Sequence, residues 1–322
     1  LAAFYAMVRD QRSRNLQTVT FNRPWLLLMA LCLGAATAVK WSGLYFVAAF
    51  GLYVVISEAL ERRKIGQENW IRKGIVAQGV RSSLIVIPIS AAVYVASWFG
   101  WFATKGGYDR NWAELAENRW TGFWSWVPTE VQSWVHYHQE ILGFHVNLKT
   151  PHSYQSNPLT WLFNARPTSF FYEGLANGES GCLDPSGCSS AITALAHPLI
   201  WLAATAAIFV LIFLFIRNRD RVAGLILIGM AGGYLPWLAI MGRTVFQFYA
   251  VAFTPWLILA LAYTLRRYLE SAEPEKRTRQ TWIVVAFLLT SVAIAIYFLP
   301  VWFGTWIPYW FWYAHMWLPS WI

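Results

Sequence analysis

Long apolar stretches separated by short basic ones dominate this chain, and they predict a set of membrane-spanning helices. A hydrocarbon core of about 30 Å requires about 20 apolar residues in one helix. The stretches that meet this requirement are Ile75–Trp98, Ala194–Ile216, Val222–Met241, Phe248–Leu265 and Trp282–Leu299. A further stretch, Trp25–Ser57, is apolar for too long to be one ordinary span.

A short polar interruption divides this longest stretch near its middle. Lys40 is followed there by Trp41, Ser42 and Gly43. We interpret the stretch as two short helices joined by a tight turn at one membrane face, and a single long tilted helix is the alternative. With two helices here, the chain has seven predicted spans.

Lysine and arginine are concentrated in a few short connections, which indicates how the helices are oriented. Most of the 25 basic residues lie in Arg9–Arg23, Glu58–Arg81, Arg217–Arg221 and Arg266–Arg279. Such loops face the cytoplasm. The long segment Gly100–Ser190, which has more acidic than basic residues, is therefore predicted to lie outside. Two helices in the longest stretch also keep both of its basic flanks on the same side.

The predicted organisation has four parts. Residues 1–98 form the end of one span and three helices, residues 99–192 an external loop domain, residues 193–300 four helices, and residues 301–322 an external aromatic tail. Leu1–Val8 is apolar and runs directly into Arg9, as the last two turns of a span would. We therefore expect the chain to be a fragment of a longer protein.

Composition supports a multi-pass membrane protein with an all-α fold. Hydrophobic residues make up 57% of the chain and charged residues only 13%, about half the share in a soluble domain. The 21 Trp, 21 Phe and 15 Tyr exclude a disordered chain, and three Cys exclude a disulfide scaffold. The net charge of +9 follows from the basic loops, so we expect no nucleic-acid partner.

Two cations stand at the predicted outer face. Lys40 lies at the turn between the first two helices, and Arg243 lies between two later spans, before Tyr249. Either side chain could extend towards lipid headgroups. Alternatively, each could bind a lipid-linked phosphate, with Trp41 beside Lys40. Their shared face favours the second interpretation for both.

The external loop contains a histidine cluster that invites a metal-site hypothesis. Its members are His136, His138, Glu140, His145 and His152. However, His136 and His138 are two residues apart, and Val135–Phe144 has the pattern of an interfacial amphipathic helix, which would point them in different directions. We therefore predict no metal site and expect no cofactor.

Two further motifs in this loop combine hydroxyl groups, amides, a cation and aromatic rings. One is His152–Pro158, with Tyr154, Gln155 and Ser156; the other is Arg166–Tyr172. Such mixtures suit sugars and phosphates, although ordinary turns use the same residue types.

The cysteines separate into a predicted pair and a single residue. Cys182 and Cys188 bracket a short external segment, where we predict a disulfide bond because that compartment is oxidising. Cys32 lies within a span and is predicted to be a core residue.

Several enzyme classes lack their sequence signatures here. The chain has no phosphate-binding P-loop, dinucleotide fingerprint, zinc-protease helix or Gly-x-Ser-x-Gly motif. The predicted spans contain no acidic residue, which argues against a proton-coupled transporter. A channel or another kind of transporter remains an alternative, but the large aromatic external loop argues against it.

Four segments resemble the protein O-mannosyltransferase family, and its actinobacterial branch in particular. They are Gly34–Tyr45, His152–Pro158 together with Arg166–Glu173, Cys188–Trp201 and Arg243–Tyr249. The resemblance implies a GT-C glycosyltransferase fold in a cell membrane. It also implies inverting transfer of mannose from polyprenyl-phosphate-mannose to Ser or Thr hydroxyls of secreted proteins. The external loop and the carboxyl end would then be extracytoplasmic, and a secretion translocon is a further expected partner.

The resemblance also suggests roles for individual residues. Lys40, Trp41, Arg166, Arg243 and Tyr249 are the candidates for binding the donor phosphate and sugar. The sugar or acceptor side would be lined by His152, Tyr154, Gln155 and Ser156.

The resemblance places the catalytic acidic pair before Leu1. We therefore expect no general base in this chain and no activity from this piece alone. Another lipid-linked-sugar transferase and an inactive membrane partner are the alternative functions.

Overall fold

The computed structural model describes residues 1–271 and 273–322, and these are mostly helical. The chain divides into two compact units, Leu1–Lys149 and Thr150–Ile322. The boundary falls inside the segment predicted as one external loop domain, residues 99–192.

Helices form most of the first unit. They are α1 Ala2–Ser13, α2 Pro24–Val39, α3 Gly43–Lys64, α4 Val80–Ser97, α5 Phe99–Ala103 and α6 Thr129–Asn147. A π-helical segment, Arg72–Gly79, leads directly into α4. Helix α2 ends before Lys40 and α3 begins after Ser42. The prediction of two helices is therefore confirmed, and the single long helix is wrong.

A network of buried ion pairs joins three of these helices at one end of the unit. Arg23 donates to Asp10 of α1 at 2.5 Å and to Glu58 of α3 at 2.9 Å. The members of the network are Asp10, Arg14, Arg23, Glu58, Glu61 and Arg62. Three guanidinium groups thus face three carboxylates, so the charge is balanced where unpaired charge would be costly. Because Arg23 precedes α2 and Glu58 lies near the end of α3, the two helices are antiparallel.

Contacts at both ends of α4 complete the arrangement of the first unit. Gln78, just before α4, exchanges hydrogen bonds with the backbone of Thr20 at 2.8 and 2.9 Å. At the opposite end, Trp41 Nε1 donates to the Tyr94 hydroxyl at 2.8 Å. The basic connections before α2 and before α4 therefore share one end of the unit. The Lys40 turn shares the other end with the carboxyl end of α4, as the charge pattern predicted.

The second unit combines helices with a small sheet. Its helices are α7 Pro158–Trp161, α8 Pro198–Asn218, α9 Arg221–Leu238, α10 Thr254–Glu270, α11 Pro274–Phe303 and α12 Tyr309–Ala314. Strands β1 Thr168–Leu175, β2 Cys188–Ala194 and β3 Ile307–Pro308 form an antiparallel sheet in the order β1-β2-β3.

This sheet corrects the all-α prediction, and it corrects the start of one predicted span. Ala194 ends β2, while α8 starts only at Pro198. The His197 side chain accepts the backbone N–H of Ile200 at 3.2 Å, which caps the amino end of the helix at this point.

The core of the second unit lies where β2 meets the end of α11 and the carboxyl-terminal residues. Its buried members are Ala191, Leu195, Phe298, Val301, Trp312 and Trp321. The Ser190 hydroxyl ties the sheet to the end of α11 by donating to the carbonyl oxygen of Gly304 at 2.7 Å. Trp312 and Trp321 of the aromatic tail are therefore packed into the fold.

Five helices within residues 1–271 and 273–322 are long and apolar enough to cross a membrane. They are α3, the continuous helix Arg72–Ser97, α8, α9 and α11. Helix α2 is also apolar but has only 16 residues. The predicted span Phe248–Leu265 is displaced, because Gln247–Ala252 forms a 3-10 helix and α10 has 17 residues from Thr254 onward.

We expect Arg23→Met to lower the free energy of unfolding by about 3–5 kcal/mol, because it leaves buried carboxylates without their cation. Thermal unfolding of the purified protein in detergent would measure this loss. Arg266→Met is the matched control, since its ion pair with Glu270 is exposed and such pairs contribute about 1 kcal/mol or less. Equal losses for the two variants would contradict a structural role of the network.

Candidate functional site

The segment that carries the His-Ser-Tyr-Gln-Ser-Asn-Pro motif folds against the connection between α9 and α10. The Ser156 backbone N–H donates to the Val245 carbonyl oxygen at 2.9 Å. The Ser156 hydroxyl accepts Trp161 Nε1 at 2.8 Å. Asn157 caps α7 by accepting the Leu159 N–H at 2.9 Å. Ser156 is buried, so this member of the predicted sugar-binding set supports the loop from inside.

A buried amide pair fixes the position of the second motif. The Gln247 side-chain nitrogen donates to Asn164 Oδ1, and Gln247 Oε1 accepts the Arg166 backbone N–H at 3.0 Å. Asn164 also donates to the Ala196 carbonyl oxygen at 3.0 Å, and its own carbonyl accepts Trp321 Nε1 at 2.8 Å. Sequence reasoning did not single out Asn164 or Gln247. The only sequence signal for these two residues is that each is a single amide next to phenylalanine.

Arg166 binds backbone carbonyl groups. Its guanidinium donates to the Ser153 oxygen at 2.8 Å, to the Ser320 oxygen at 2.5 Å and to the Ile322 oxygen. It also lies over the Tyr154 ring, with Cζ 4.9 Å from the ring centroid. This predicted phosphate ligand therefore connects the motif to the carboxyl-terminal residues.

Aromatic rings beside these anchors form a continuous surface, which we call the aromatic surface. Its members are His152, Tyr154, Phe170, Phe246, Phe248 and Tyr249. Ring centroids are 5.0 Å apart between His152 and Phe246, 5.6 Å between Phe246 and Phe248, and 4.7 Å between Phe248 and Tyr249. Aromatic faces of this kind, next to hydrogen-bonding groups, are typical of sugar-binding sites.

The structure brings most of the predicted residues of the second unit into this one region. His152 is exposed, and its backbone N–H donates to Gln155 Oε1 at 3.2 Å. Arg243 lies between α9 and the 3-10 helix that begins at Gln247 and is partly buried. Tyr249 packs against Trp237 at 4.9 Å. The two other predicted donor-site residues, Lys40 and Trp41, belong to the first unit.

A hydrogen-bonded chain connects the Lys40 turn with α6 in the first unit. His138 Nδ1 lies 2.7 Å from the Trp134 carbonyl oxygen, and Nε2 lies 2.6 Å from the Tyr94 hydroxyl. Because a carbonyl group only accepts, Nδ1 carries the proton and Nε2 accepts from Tyr94. Tyr94 in turn accepts from Trp41. The chain therefore fixes Trp41, while Lys40 itself is exposed.

The external histidines have aromatic neighbours. His136 stacks on Trp112 with ring centroids 3.7 Å apart, while His138 contacts Trp134 at 4.1 Å. Helix α6 thus directs the two rings to different partners, as the predicted amphipathic helix required. Among residues 1–271 and 273–322, no group of three His, Cys, Asp or Glu side chains could hold a metal ion. Burial lowers the pKa of His138.

A disulfide bond joins Cys182 and Cys188, with a Cα–Cα distance of 5.8 Å. The bond closes the connection between β1 and β2 at the first residue of β2. Asp184 inside this loop accepts hydrogen bonds from the hydroxyl and the backbone N–H of Ser186 at 2.6 and 2.8 Å. The connection is therefore a compact loop held by covalent and polar contacts.

A comparison with known families connects this geometry to a protein class. The family model described as the C-terminal four TMM region of protein-O-mannosyltransferase matches residues 130–321. The chain belongs to the protein O-mannosyltransferase family. The matched region of this mannosyltransferase-family chain contains α6 except its first residue, Thr129, and the whole aromatic surface, whereas the Lys40 turn precedes it.

Actinobacterial proteins are among the relatives of this family member. The polyprenol-phosphate-mannose–protein mannosyltransferase of Corynebacterium glutamicum is 30% identical over 307 residues, which cover 93% of this chain and 58% of the relative. The proteins of the same name from Mycolicibacterium smegmatis and Mycobacterium tuberculosis are 29% identical, with the same coverage. The chain therefore spans little more than half the length of these relatives.

One solved structure is also similar. It is described as the S. cerevisiae protein O-mannosyltransferase Pmt1-Pmt2 complex bound to the sugar donor. The identity is 24%, the TM-score is 0.46, and the similarity covers 63% of this chain and 27% of that chain.

We expect Arg166→Met to lower the unfolding free energy by about 2 kcal/mol, because hydrogen bonds from a charged group to several carbonyls are lost. Arg166→Lys should be almost as destabilising, since an ammonium group cannot reproduce the planar fork. Thermal unfolding in detergent would measure both effects, with the exposed Arg277→Met as control. An unchanged melting temperature with a raised donor KM, restored by lysine, would instead identify Arg166 as a phosphate ligand.

The lowered pKa of His138 predicts a pH-dependent stability. The ordinary pKa of histidine is 6.5. Below that pH, His138 of the unfolded protein binds a proton more readily than His138 of the folded protein. The contribution of the neutral ring is therefore present above that pH and is lost as the pH falls. We expect the melting temperature to drop between about pH 7.5 and pH 5.5, and to drop less in His138→Gln. Gln139→Ala, an exposed and non-titrating position on the same helix, should retain the wild-type pH profile; identical profiles for both variants would contradict this role.

Proposed function

We propose that this protein transfers mannose from polyprenyl-phosphate-mannose to Ser or Thr hydroxyls of secreted polypeptides at the outer membrane face. The observation that carries this proposal is the family match over residues 130–321, which includes the aromatic surface. The named activity of the actinobacterial relatives supports it. Because the chain spans 58% of their length, the proposal concerns the whole enzyme of which these residues form part.

The chemistry of the aromatic surface fits this reaction. Sugar rings stack on aromatic faces, and the exposed His152 and Gln155 offer polar groups beside them. The departing polyprenyl phosphate carries negative charge, which a nearby cation would stabilise in the transition state. We assign this role to Arg243, a cation that lies three residues before Phe246 of the aromatic surface. We assign no general base among residues 1–322.

The proposed reaction requires a particular membrane topology. We propose that all seven predicted spans cross the membrane, including the short helices α2 and α10. The Lys40 turn, the sheet and the aromatic surface would then lie outside. Support comes from each unit separately: the ion pairs make α2 and α3 antiparallel, and the connection after α9 contacts the segment before α8.

Arg243→Met in the natively expressed protein should lower mannose transfer at least tenfold, because one cation facing the leaving phosphate is removed. Arg243→Lys should retain part of the activity. Radiolabelled transfer from a short polyprenyl-phosphate-mannose to a threonine peptide, using isolated membranes, would measure both. Arg217→Met, exposed at the end of α8, is the matched control.

The same assay separates the alternatives. Unaltered turnover by Arg243→Met would remove this residue from the mechanism. Transfer from a glucose or galactose donor, but not from the mannose donor, would assign the protein to another lipid-linked-sugar reaction. Absence of transfer from every donor would favour an inactive membrane partner.

A further inference from the structure

Strand β1 has an open edge. It forms one side of the sheet, with β2 on its inner side, and within the described residues no other strand pairs with its outer side. Residues 170–174 are exposed, with Phe170 at 59% and Tyr172 at 47% of their full accessible surface. The outward backbone N–H and C=O groups of this strand are therefore available to an extended chain.

The main protection of this sheet edge lies at the beginning of the strand. A bulge lies between Ser169 and Phe171, and it begins two residues after Pro167. From Phe171 to Leu175 the pairing with β2 is regular, and this stretch contains no proline or lysine; its one charged residue is Glu173. Five consecutive residues thus present a regular edge on which one carboxylate is the only feature of the kind that disfavours additional pairing.

The open edge is rigidly supported from behind. In β2, Ser189, Ser190 and Ala191 are buried, and Ser190 is tied to Gly304. Tyr172 of β1 packs on Trp312 with ring centroids 4.9 Å apart. A strand held in this way loses little conformational entropy when a partner pairs with it.

The edge is continuous with the aromatic surface. The ring of Phe170 lies 5.3 Å from that of Phe248, and contacts of 5.6 and 5.0 Å continue through Phe246 to His152. An extended chain advances about 3.3 Å per residue, so about five residues cover the distance from the strand to His152. One polypeptide could therefore lie along β1 and present a hydroxyl group at the aromatic surface.

We propose that the acceptor polypeptide binds as an additional strand along residues 171–175 of β1. This inference rests on the proposed mannosyl transfer, which supplies an extended polypeptide as substrate. Strand addition uses hydrogen bonds between main chains. It would allow acceptors of different side-chain sequence to bind in the same way.

The first test uses acceptor peptides with one threonine and single N-methyl groups placed at least three residues from it. Each methyl group removes one backbone N–H. Because successive N–H groups of a strand point in opposite directions, we expect every second position to raise the acceptor KM about five- to tenfold. The intervening positions should leave KM nearly unchanged, and they serve as matched controls. Transfer is measured in membranes that contain the natively expressed enzyme.

The second test changes the enzyme. Glu173 and Gly174 are adjacent and pair with Ser190 and Ser189, so one N–H faces β2 and the other faces the open edge. Of Glu173→Pro and Gly174→Pro, one should lower the melting temperature. The other should retain it and raise the acceptor KM, with the donor KM unchanged.

The outcomes distinguish this inference from the proposed function. Transfer to the unmodified peptide, with no alternation along the methyl series, would overturn strand addition and leave mannosyl transfer intact. If no unmodified peptide receives mannose, both strand addition and the proposed mannosyl transfer are overturned.

Discussion

The pairing of buried polar groups within the chain is the constraint on which both units depend. Charges withdrawn from water are tolerated only where partners satisfy them. In the first unit, Arg23 meets this requirement by joining Asp10 and Glu58 from two different helices. In the second unit, Asn164 and Gln247 do so with amides and backbone groups. The apolar stretches form helices, but these polar contacts decide which helix ends and loops lie together.

This constraint explains why two residues suited to ligand binding, Arg166 and Ser156, have structural partners. Arg166 has the planar donors that phosphate recognition uses, yet its donors face carbonyl oxygens of segments far apart in the sequence. Ser156 is buried and accepts from Trp161. These anchors hold in place the aromatic rings between His152 and Phe248, and the proposed reaction assigns the ligand-facing role to those rings. Residues that bind and residues that position cannot be separated by type alone.

Hydropathy predicted the helices well because their burial in lipid depends on local composition. The break at Lys40 was also predictable, since a charged residue and a glycine interrupt an overlong apolar stretch. The sheet was not predictable in this way, because β1 and β2 are short and lie within an aromatic-rich loop. Strand β2 also pairs with Ile307, far along the sequence. The partners of Arg166 and Gln247 were hidden for the same reason, because tertiary contacts select them and no local pattern encodes them.

The location of the sheet has a consequence for recognition. It lies where β2, the end of α11 and the carboxyl-terminal residues share one core, and Phe170 links it to Phe248. Aromatic stacking depends on the flat face of a sugar, and main-chain pairing depends on an extended backbone. Neither interaction requires a particular side chain in a polypeptide acceptor. In the proposed reaction, selectivity would then come from which secreted segments are extended and within reach of the membrane, and much less from a sequence motif around the modified hydroxyl.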